Sequence, residues 1–423
     1  MKKVFQKTGI IILLIIVFSV NITLKWVSAA APDAAAEDPG YPITTNEIAD
    51  WPAGPDVNSE TAVLMEADTG TILYNKGMDE VRYPASITKI MTTLIALENS
   101  SLTDEITFTE TGVQEAVTGS SNINMQVTEV LTMEQCLHAI MLKSANEVST
   151  QVAEYIGGSV EGFVNQMNEK AQSLGCKNTH FNNANGMPDE NHYTTAYDMA
   201  LITQEAIKNE TFVQIAGTLS YEIPTTNMNP YLRSMTHHHP LLLQETAFYY
   251  EAAFGGKTGY TDAALSTLVT YAEKDGMTLI AVTLRSSDIG QVCTDTINLL
   301  NYGFDNFQKL SMSGEDEVVE GGTAIIPKTK TKADVTIATE EKGDLRNLSY
   351  TFQEHPVGEA VVKAVVKAAA EEEEAVQTVS DVPETDAGET AWVLTKAQWA
   401  ILILGVCILV GIIGILAVVV RRK

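Results

Sequence analysis

The 423-residue chain predicts an α+β domain over residues 55–308 on three observations. β-Rich runs lie at both ends of this stretch, amphipathic helical patterns fill its middle, and Gly-containing turn signals separate neighbouring runs. Strands, then helices, then strands is the order of an antiparallel sheet assembled from both ends, with flanking helices and a helical lobe between them.

Ala62-Val63-Leu64-Met65 and Thr71-Ile72-Leu73-Tyr74 flank Asp68-Thr69-Gly70, a hairpin pattern. Ile87, Ile90, Met91, Leu94 and Ile95 then recur at helical spacing, with Pro84 just ahead of the first turn. Thr132 and Gln135 make a capping box for a helix whose apolar face is Met133, Cys136, Leu137, Ile140 and Met141. That helix gives way at Ser144-Ala145-Asn146. Val148, Val152, Tyr155 and Ile156 begin another, closed by Gly157-Gly158. Phe163, Met167, Ala171 and Leu174 form a further stretch stopped by Gly175, and Thr195 with Asp198 caps one more. Residues 265–272 and 277–284 are β-rich runs around Glu273-Lys274-Asp275-Gly276, a second hairpin signal, and 296–304 reads as the closing helix.

Outside this domain the composition changes. Lys2, Lys3 and Lys7 precede an apolar run over 9–20, followed by Ser28, Ala29, Ala30 and Ala31, so residues 1–31 are expected to be a cleaved secretory signal. An uncleaved anchor is the alternative, disfavoured because the run is short of the ~20 apolar residues a span needs. Residues 32–54, rich in Ala, Pro, Asp and Gly, read as a linker. Residues 309–368 carry short alternating apolar runs and are expected to form a small β-rich domain. Residues 369–395 hold Glu371 to Glu374, Asp381, Glu384, Asp386 and Glu389 with no basic residue between them, the pattern of an extended, self-repelling tether. Residues 399–420 are expected to be a transmembrane helix, with Trp392 and Trp399 at the interface and Arg421-Arg422-Lys423 as the cytoplasmic tail. The bulk of the chain is therefore expected outside the cytoplasm. With 27 Lys and Arg against 54 Asp and Glu, the net charge is −27, which argues against nucleic-acid binding through broad electrostatics.

Chemistry concentrates in three strings: Ser86-Ile87-Thr88-Lys89, Ser144-Ala145-Asn146 and Lys257-Thr258-Gly259. Ser86 and Lys89, at i and i+3, emerge on one helix face. A serine hydroxyl is a poor nucleophile until a base takes its proton, and a lysine serves if it is neutral. Burial and the nearby cation Lys257 both depress a lysine pKa. Ser144 suits a proton relay, and Asn146 an amide donor to a substrate backbone. Lys257 is a point charge for a carboxylate and Thr258 adds a hydroxyl, while Gly256 and Gly259 let a peptide approach the strand edge. Taken singly, the strings also read as an ordinary first turn, a helix cap and a tight turn. Ser120-Ser121-Asn122 and Ser19-Val20-Asn21 repeat the second pattern and Lys7-Thr8-Gly9 the third, so order and context carry the signal.

Cys136, Cys176, Cys293 and Cys407 show no disulfide framework and no metal-ligand spacing; Cys136 reads as a buried thiol. His237-His238-His239 reads as a polar loop, since consecutive residues rarely converge on one metal. No metal or cofactor is expected.

The three strings and their surroundings resemble the low-molecular-mass penicillin-binding proteins, the serine-type D-Ala-D-Ala carboxypeptidases, over roughly residues 55–305. Met65-Glu66-Ala67-Asp68-Thr69-Gly70 is similar to the family's opening hairpin and Tyr83-Pro84-Ala85-Ser86 to its nucleophile helix. Asn178-Thr179-His180-Phe181, Asn185-Gly186-Met187 and His192-Tyr193-Thr194-Thr195-Ala196-Tyr197-Asp198-Met199-Ala200 are also family-like. The resemblance implies a DD-peptidase/β-lactamase-like domain and a peptidoglycan stem peptide ending in D-Ala-D-Ala as substrate. It implies Ser86 as acylated nucleophile, Lys89 as base, Ser144 and Asn146 as second-motif partners, and Lys257, Thr258 and Gly259 as substrate binders. It places the oxyanion hole at the backbone amides of Ser86 and Tyr260, and it makes β-lactams covalent ligands of Ser86.

Two departures stand out. Residues 236–254 are longer and more apolar than the family's usual approach to K-T-G, and this chain carries a membrane span where relatives often use an amphipathic helix. Arg285, after a strand, is a further candidate for the substrate carboxylate. The alternatives are a D,D-endopeptidase acting on crosslinks, a β-lactamase with Glu190 as the nearest candidate for a deacylating base, and a non-catalytic wall-binding protein.

Overall fold

A computed structural model of the chain describes residues 40–117, 119–312 and 322–363. The first apolar runs pair as an antiparallel hairpin of β1 (Thr61–Glu66) and β2 (Ile72–Lys76). A 3-10 turn, Ala85–Thr88, leads into α1 (Lys89–Asn99). Then follow β3 (Glu105–Thr107), α2 (Glu110–Val113), β4 (Val130–Thr132), α3 (Met133–Lys143), α4 (Asn146–Gly157) and α5 (Val160–Ser173). The Thr132–Gln135 capping box is formed on both sides, and Gly158 ends α4 in the left-handed conformation. After α6 (Ala196–Ala206), capped by Thr195, come α7 (Glu210–Gly217), β5 (Ser220–Ile223), β6 (Arg233–Thr236), β7 (Ala253–Thr261), β8 (Leu265–Lys274), β9 (Met277–Ser286) and α8 (Ile289–Asn306).

β1 pairs antiparallel with both β2 and β9, giving a five-stranded sheet in the order β2-β1-β9-β8-β7. Both ends of the domain thus meet in one sheet, as the sequence predicts, and β7 is left at an edge.

Both faces of this sheet are buried, and the period-two alternation of its strands divides the core. Val63, Met65, Val269, Tyr271, Ile280 and Val282 join Ile90, Leu94, Leu137, Ile140, Val148 and Met199 of the helices in one apolar cluster. The alternate residues Ala62, Leu64, Leu268, Ala272, Leu279 and Ala281 join Val292, Leu299, Leu300 and Phe304 of α8 in a second. Each fully buried Leu or Ile contributes about 1.5–3 kcal/mol. The first cluster seats the helical lobe that carries the first two motifs, the third lying on the edge strand β7; the second closes the opposite face.

Residues 307–363 complete that second face. β10 (Phe307–Ser311) pairs with β11 (Thr323–Pro327), and β12 (Thr336–Lys342), β13 (Leu345–Phe352) and β14 (His355–Lys363) form a three-stranded sheet. Ala324, Ile325, Ile326, Tyr350, Phe352 and Val357 share the α8 core, and all described residues belong to one compact unit. The strands expected over 309–368 therefore bury their apolar side against the peptidase sheet.

Residues 40–54 do not behave as the linker their composition suggests. Ile43 bridges Lys76, Thr44–Glu47 forms a 3-10 turn, and the buried Trp51 stacks near Phe307, Phe352 and His355. Trp51 Nε1 donates to Leu73 O at 3.0 Å. One aromatic ring outweighs the Pro and Gly around it, because it finds a slot that only the folded C-terminal strands create. The regions expected as signal (1–31), acidic tether (369–395), membrane helix (399–420) and tail (421–423) lie outside the described residues. Among the described residues no helix is long and apolar enough to cross a membrane.

Trp51→Ala should cost about 3–5 kcal/mol in urea unfolding. A loss below about 1 kcal/mol would show that the outer face does not depend on this ring.

Candidate active site

The turn carrying Ser86 is wedged between two glycines. Ala85 sits in the left-handed region (φ +52°). A Cβ on Gly186 would meet Ala85 O at 2.0 Å, and one on Gly259 would meet Ser86 N at 2.9 Å and Thr267 Oγ1 at 2.4 Å. Thr267 Oγ1 donates to Pro84 O at 2.9 Å, and His192 Nε2 bonds Thr88 Oγ1 at 2.8 Å. His192 Nδ1 accepts from Asn182 N, which fixes its tautomer, and burial holds the ring neutral with a pKa of about 3. Glu60 anchors the approach to this turn, accepting from Arg82 Nε at 2.5 Å and from Arg285 Nε at 2.9 Å. Arg285, which also donates to Ala263 O, is thus engaged in this buried network and does not line the cleft.

Lys89 is fully buried. Its Nζ lies 3.0 Å from Ser86 Oγ and 2.8 Å from Asn146 Oδ1, and it also bonds Asn185 O. All three partners are uncharged. Burial, then the Lys257 cation, push its pKa well below the ordinary lysine range, with Glu147 opposing. A neutral amine has two N–H bonds and one lone pair. The two carbonyl oxygens take the N–H bonds, so the lone pair is left for the Ser86 hydroxyl.

Ser144 follows the last residue of α3 in the left-handed conformation (φ +58°), which lets the chain break and restart as α4 at Asn146. A non-glycine residue held there costs roughly 1–3 kcal/mol. Its Oγ is buried without a hydrogen-bond partner among the described residues, and Ser144 lines the cleft. Asn146 turns its carbonyl to Lys89 and its NH2 toward Met187 Sδ. The buried carboxylate of Glu147 accepts from Ile123 N at 2.6 Å, and Asn146 N donates to Ser121 O. These bonds hold the loop carrying Ser120 and Ser121, both cleft-lining, against α4. The repeated S-x-N string therefore belongs to the cleft wall, while Asn122 is spent on Ser120 O within its own loop.

The opposite wall is the edge of β7. Ser86, Ser144, Asn146, Gly186, Met187, Thr258, Gly259 and Tyr260 line one cleft of about 1050 Å³. Lys257 does not: it is buried, with Nζ donating to Thr258 O at 2.8 Å, and burial brings its pKa down to about 7. The histidine run is only partly a polar loop. His237 Nδ1 accepts from His239 N, His239 Nδ1 accepts from Leu241 N, and burial brings the two rings to about 2 and about 4. His238 alone is exposed and lines the cleft. Glu190 is exposed on a turn and is not among the cleft-lining residues. Sequence reasoning quoted Asn185 and His192 without a role; Asn185 acts through its backbone carbonyl, which no side-chain pattern signals.

An antiparallel sheet with a helical lobe, and a serine–lysine pair between them, define a serine peptidase of the low-molecular-mass penicillin-binding class. The peptidase S11 family model, described as D-alanyl-D-alanine carboxypeptidase, matches residues 48–288. The chain belongs to this family and is a serine-type carboxypeptidase. It is 33% identical to D-alanyl-D-alanine carboxypeptidase DacF of Bacillus subtilis (strain 168) over 331 residues, 75% of this chain and 79% of that protein. It is 29% identical to the crystal structure of the Streptomyces K15 DD-transpeptidase, with a TM-score of 0.56 over 60% of this chain and all of that one. Penicillin binding protein 6B from Escherichia coli, at 22% identity, shares the fold with a TM-score of 0.62 over 75% of this chain and 98% of that one.

Gly259→Ala should push β7 off the Ser86 turn and lower the rate of Ser86 labelling by roughly 10²-fold with an unchanged circular dichroism spectrum; near-wild-type labelling would mean the strand tolerates the methyl group. Lys257 releases its proton at about 7 in the folded protein, but only near 10.4 when unfolded. The unfolded chain binds more protons across that window, so this residue makes stability rise with pH there. Lys257→Met should remove that slope and raise Tm at pH 7 by at least about 2–4 °C, the shift 1 kcal/mol produces at this size. A fall in Tm would show that the buried amine is stabilising.

Proposed function

We propose that the chain is a membrane-anchored, extracytoplasmic D,D-carboxypeptidase that removes the terminal D-Ala from peptidoglycan stem pentapeptides through an acyl-enzyme on Ser86. One observation carries the reading: a buried lysine whose hydrogen-bond partners among the described residues are the Ser86 hydroxyl and two carbonyl oxygens. That amine is hydrogen-bonded to no carboxylate among the described residues and has a hydroxyl to deprotonate.

The stem peptide lies along the β7 edge, adding a strand, with Gly259 permitting close backbone approach. Lys89 takes the Ser86 proton as Oγ attacks the penultimate carbonyl. The amides of Ser86 and Tyr260 stabilise the oxyanion, a contribution of about 2.7–4 kcal/mol per donor in comparable sites. Ser144, whose Oγ has no partner among the described residues, relays that proton: its hydroxyl donates to the departing amine as the C–N bond breaks and is reprotonated by Lys89, which returns to the neutral form. Asn146 donates to the substrate backbone, and Thr258 at the cleft surface holds the terminal carboxylate in the field of the buried Lys257 behind it. Neutral Lys89 then takes a proton from the water that attacks the ester, and passes it to Ser86 Oγ as the acyl–oxygen bond breaks, so the shortened peptide leaves with Ser86 and Lys89 restored. β-Lactams acylate Ser86 as mimics of the scissile bond. The apolar runs of the sequence over 9–20 and 399–420 support the membrane placement.

Incubated with a pentapeptide stem, the protein should release D-alanine, and Ser86→Ala should release none and lose labelling by a fluorescent penicillin. Release by the alanine variant would end the acyl-enzyme reading. On the pH axis, kcat/KM should rise as Lys89 loses its proton and fall as Lys257 loses its own above about 7. A flat profile between pH 6 and 9 would contradict both lysine roles.

A further inference from the structure

Asn146 and Glu147 open α4, and the two side chains have different tasks. Asn146 Oδ1 bonds the Lys89 amine at 2.8 Å. Glu147 is fully buried, yet the ion pairs among the described residues do not include it. A carboxylate kept in a core without an ion pair has another use for its oxygens. Its Oε1 accepts from Ile123 N at 2.6 Å, while Oε2 has no partner among the described residues. Beside it, Asn146 N donates to Ser121 O at 2.9 Å. The first turn of α4 therefore holds residues 121–123 by two bonds. Ser120 and Ser121 line the cleft together with Thr258, Gly259 and Tyr260 of β7. The side chains of Ser120 and Asn122 bond only within the loop, to Val117 O and Ser120 O, so they do not anchor it to the body of the domain.

A peptide added to β7 as a strand spends one backbone edge on β7 and turns the other to the facing wall. We infer that Glu147 is a positioning residue: through Ile123 N it sets the wall at Ser120 and Ser121, and that wall grips the free edge of an extended acyl chain. This rests on the activity proposed above and deepens it, because it names the substrate class the cleft favours, an extended peptide ahead of the scissile bond over a compact acyl donor. Glu147 acts through the loop alone, and the loop depends on its reach and not on its charge.

The test sets Glu147→Asp, which keeps the charge but is one methylene short of Ile123 N, against Glu147→Gln, which keeps the reach. The NH2 of glutamine replaces an oxygen that has no partner, so it breaks no bond. Two acyl donors are compared on the full chain: a stem pentapeptide, read by D-alanine release, and 6-aminopenicillanic acid, a β-lactam without an acyl side chain, read by acylation of Ser86. Glu147→Asp should raise KM for the pentapeptide about tenfold, with kcat within about threefold and acylation by 6-aminopenicillanic acid within about twofold of wild type. Glu147→Gln should hold the pentapeptide KM within about threefold of wild type. In Ser86→Ala, which carries the native Glu147, saturating pentapeptide should slow amide exchange at residues 121–123 by at least about threefold, and 6-aminopenicillanic acid should not. An unchanged pentapeptide KM in Glu147→Asp, a loss shared equally by both donors, a larger loss in the glutamine variant than in the aspartate variant, or unchanged exchange at 121–123 overturns the positioning role alone. A wild type that 6-aminopenicillanic acid acylates but that releases no D-alanine overturns the activity beneath it, and the positioning role with it.

Discussion

A lysine amine buried among neutral acceptors is the constraint on which the rest of the molecule depends. A charged Lys89 in that place is costly, and no carboxylate is bonded to it. Burial pushes the pKa of the amine well below the ordinary lysine range, and two of its hydrogen bonds go to carbonyl oxygens. Those oxygens come from Asn146 at the start of α4 and from the backbone of Asn185. Ser86 comes from a third segment, the turn before α1. The surroundings of this amine are therefore made by convergence: moving any one segment takes a hydrogen-bond partner from a group buried in the core.

The two-faced sheet makes that convergence rigid. Its inner residues seat the lobe from which α1, α3 and α4 present the first two motifs, and its edge strand carries the third. Its outer residues are covered by α8, Trp51 and the C-terminal strands. Core packing at near-crystalline density resists small displacements, so covering the far face stiffens the platform on which β7 approaches Ser86. The Glu60 network ties β1, the segment before Ser86 and the end of β9 at one point.

Much of this was legible in the chain. The hairpins around Asp68-Thr69-Gly70 and Asp275-Gly276, the Thr132–Gln135 capping box, the Thr195 cap and the break at Ser144 are local events, written in neighbouring residues. Other features were not legible, for a consistent reason. Trp51 looked like linker because its partners, Phe307 in β10 and Phe352 in β13, lie more than 250 residues away. The histidine run looked uniformly polar because its third ring is buried against β8, where Val269 O and Thr270 Oγ1 meet it. Arg285 looked available until Glu60 was brought beside it.

The sequence by itself determined which groups exist and their local geometry: a serine and a lysine one turn apart, a helix break, a glycine-flanked lysine at a strand edge. These need only 3.6-residue and two-residue periodicities and the conformational limits of Gly and Pro. Only the tertiary structure decided their chemical states. Whether an amine is charged, or an imidazole faces solvent or core, depends on dielectric and partners supplied by distant segments. No local pattern encodes that environment.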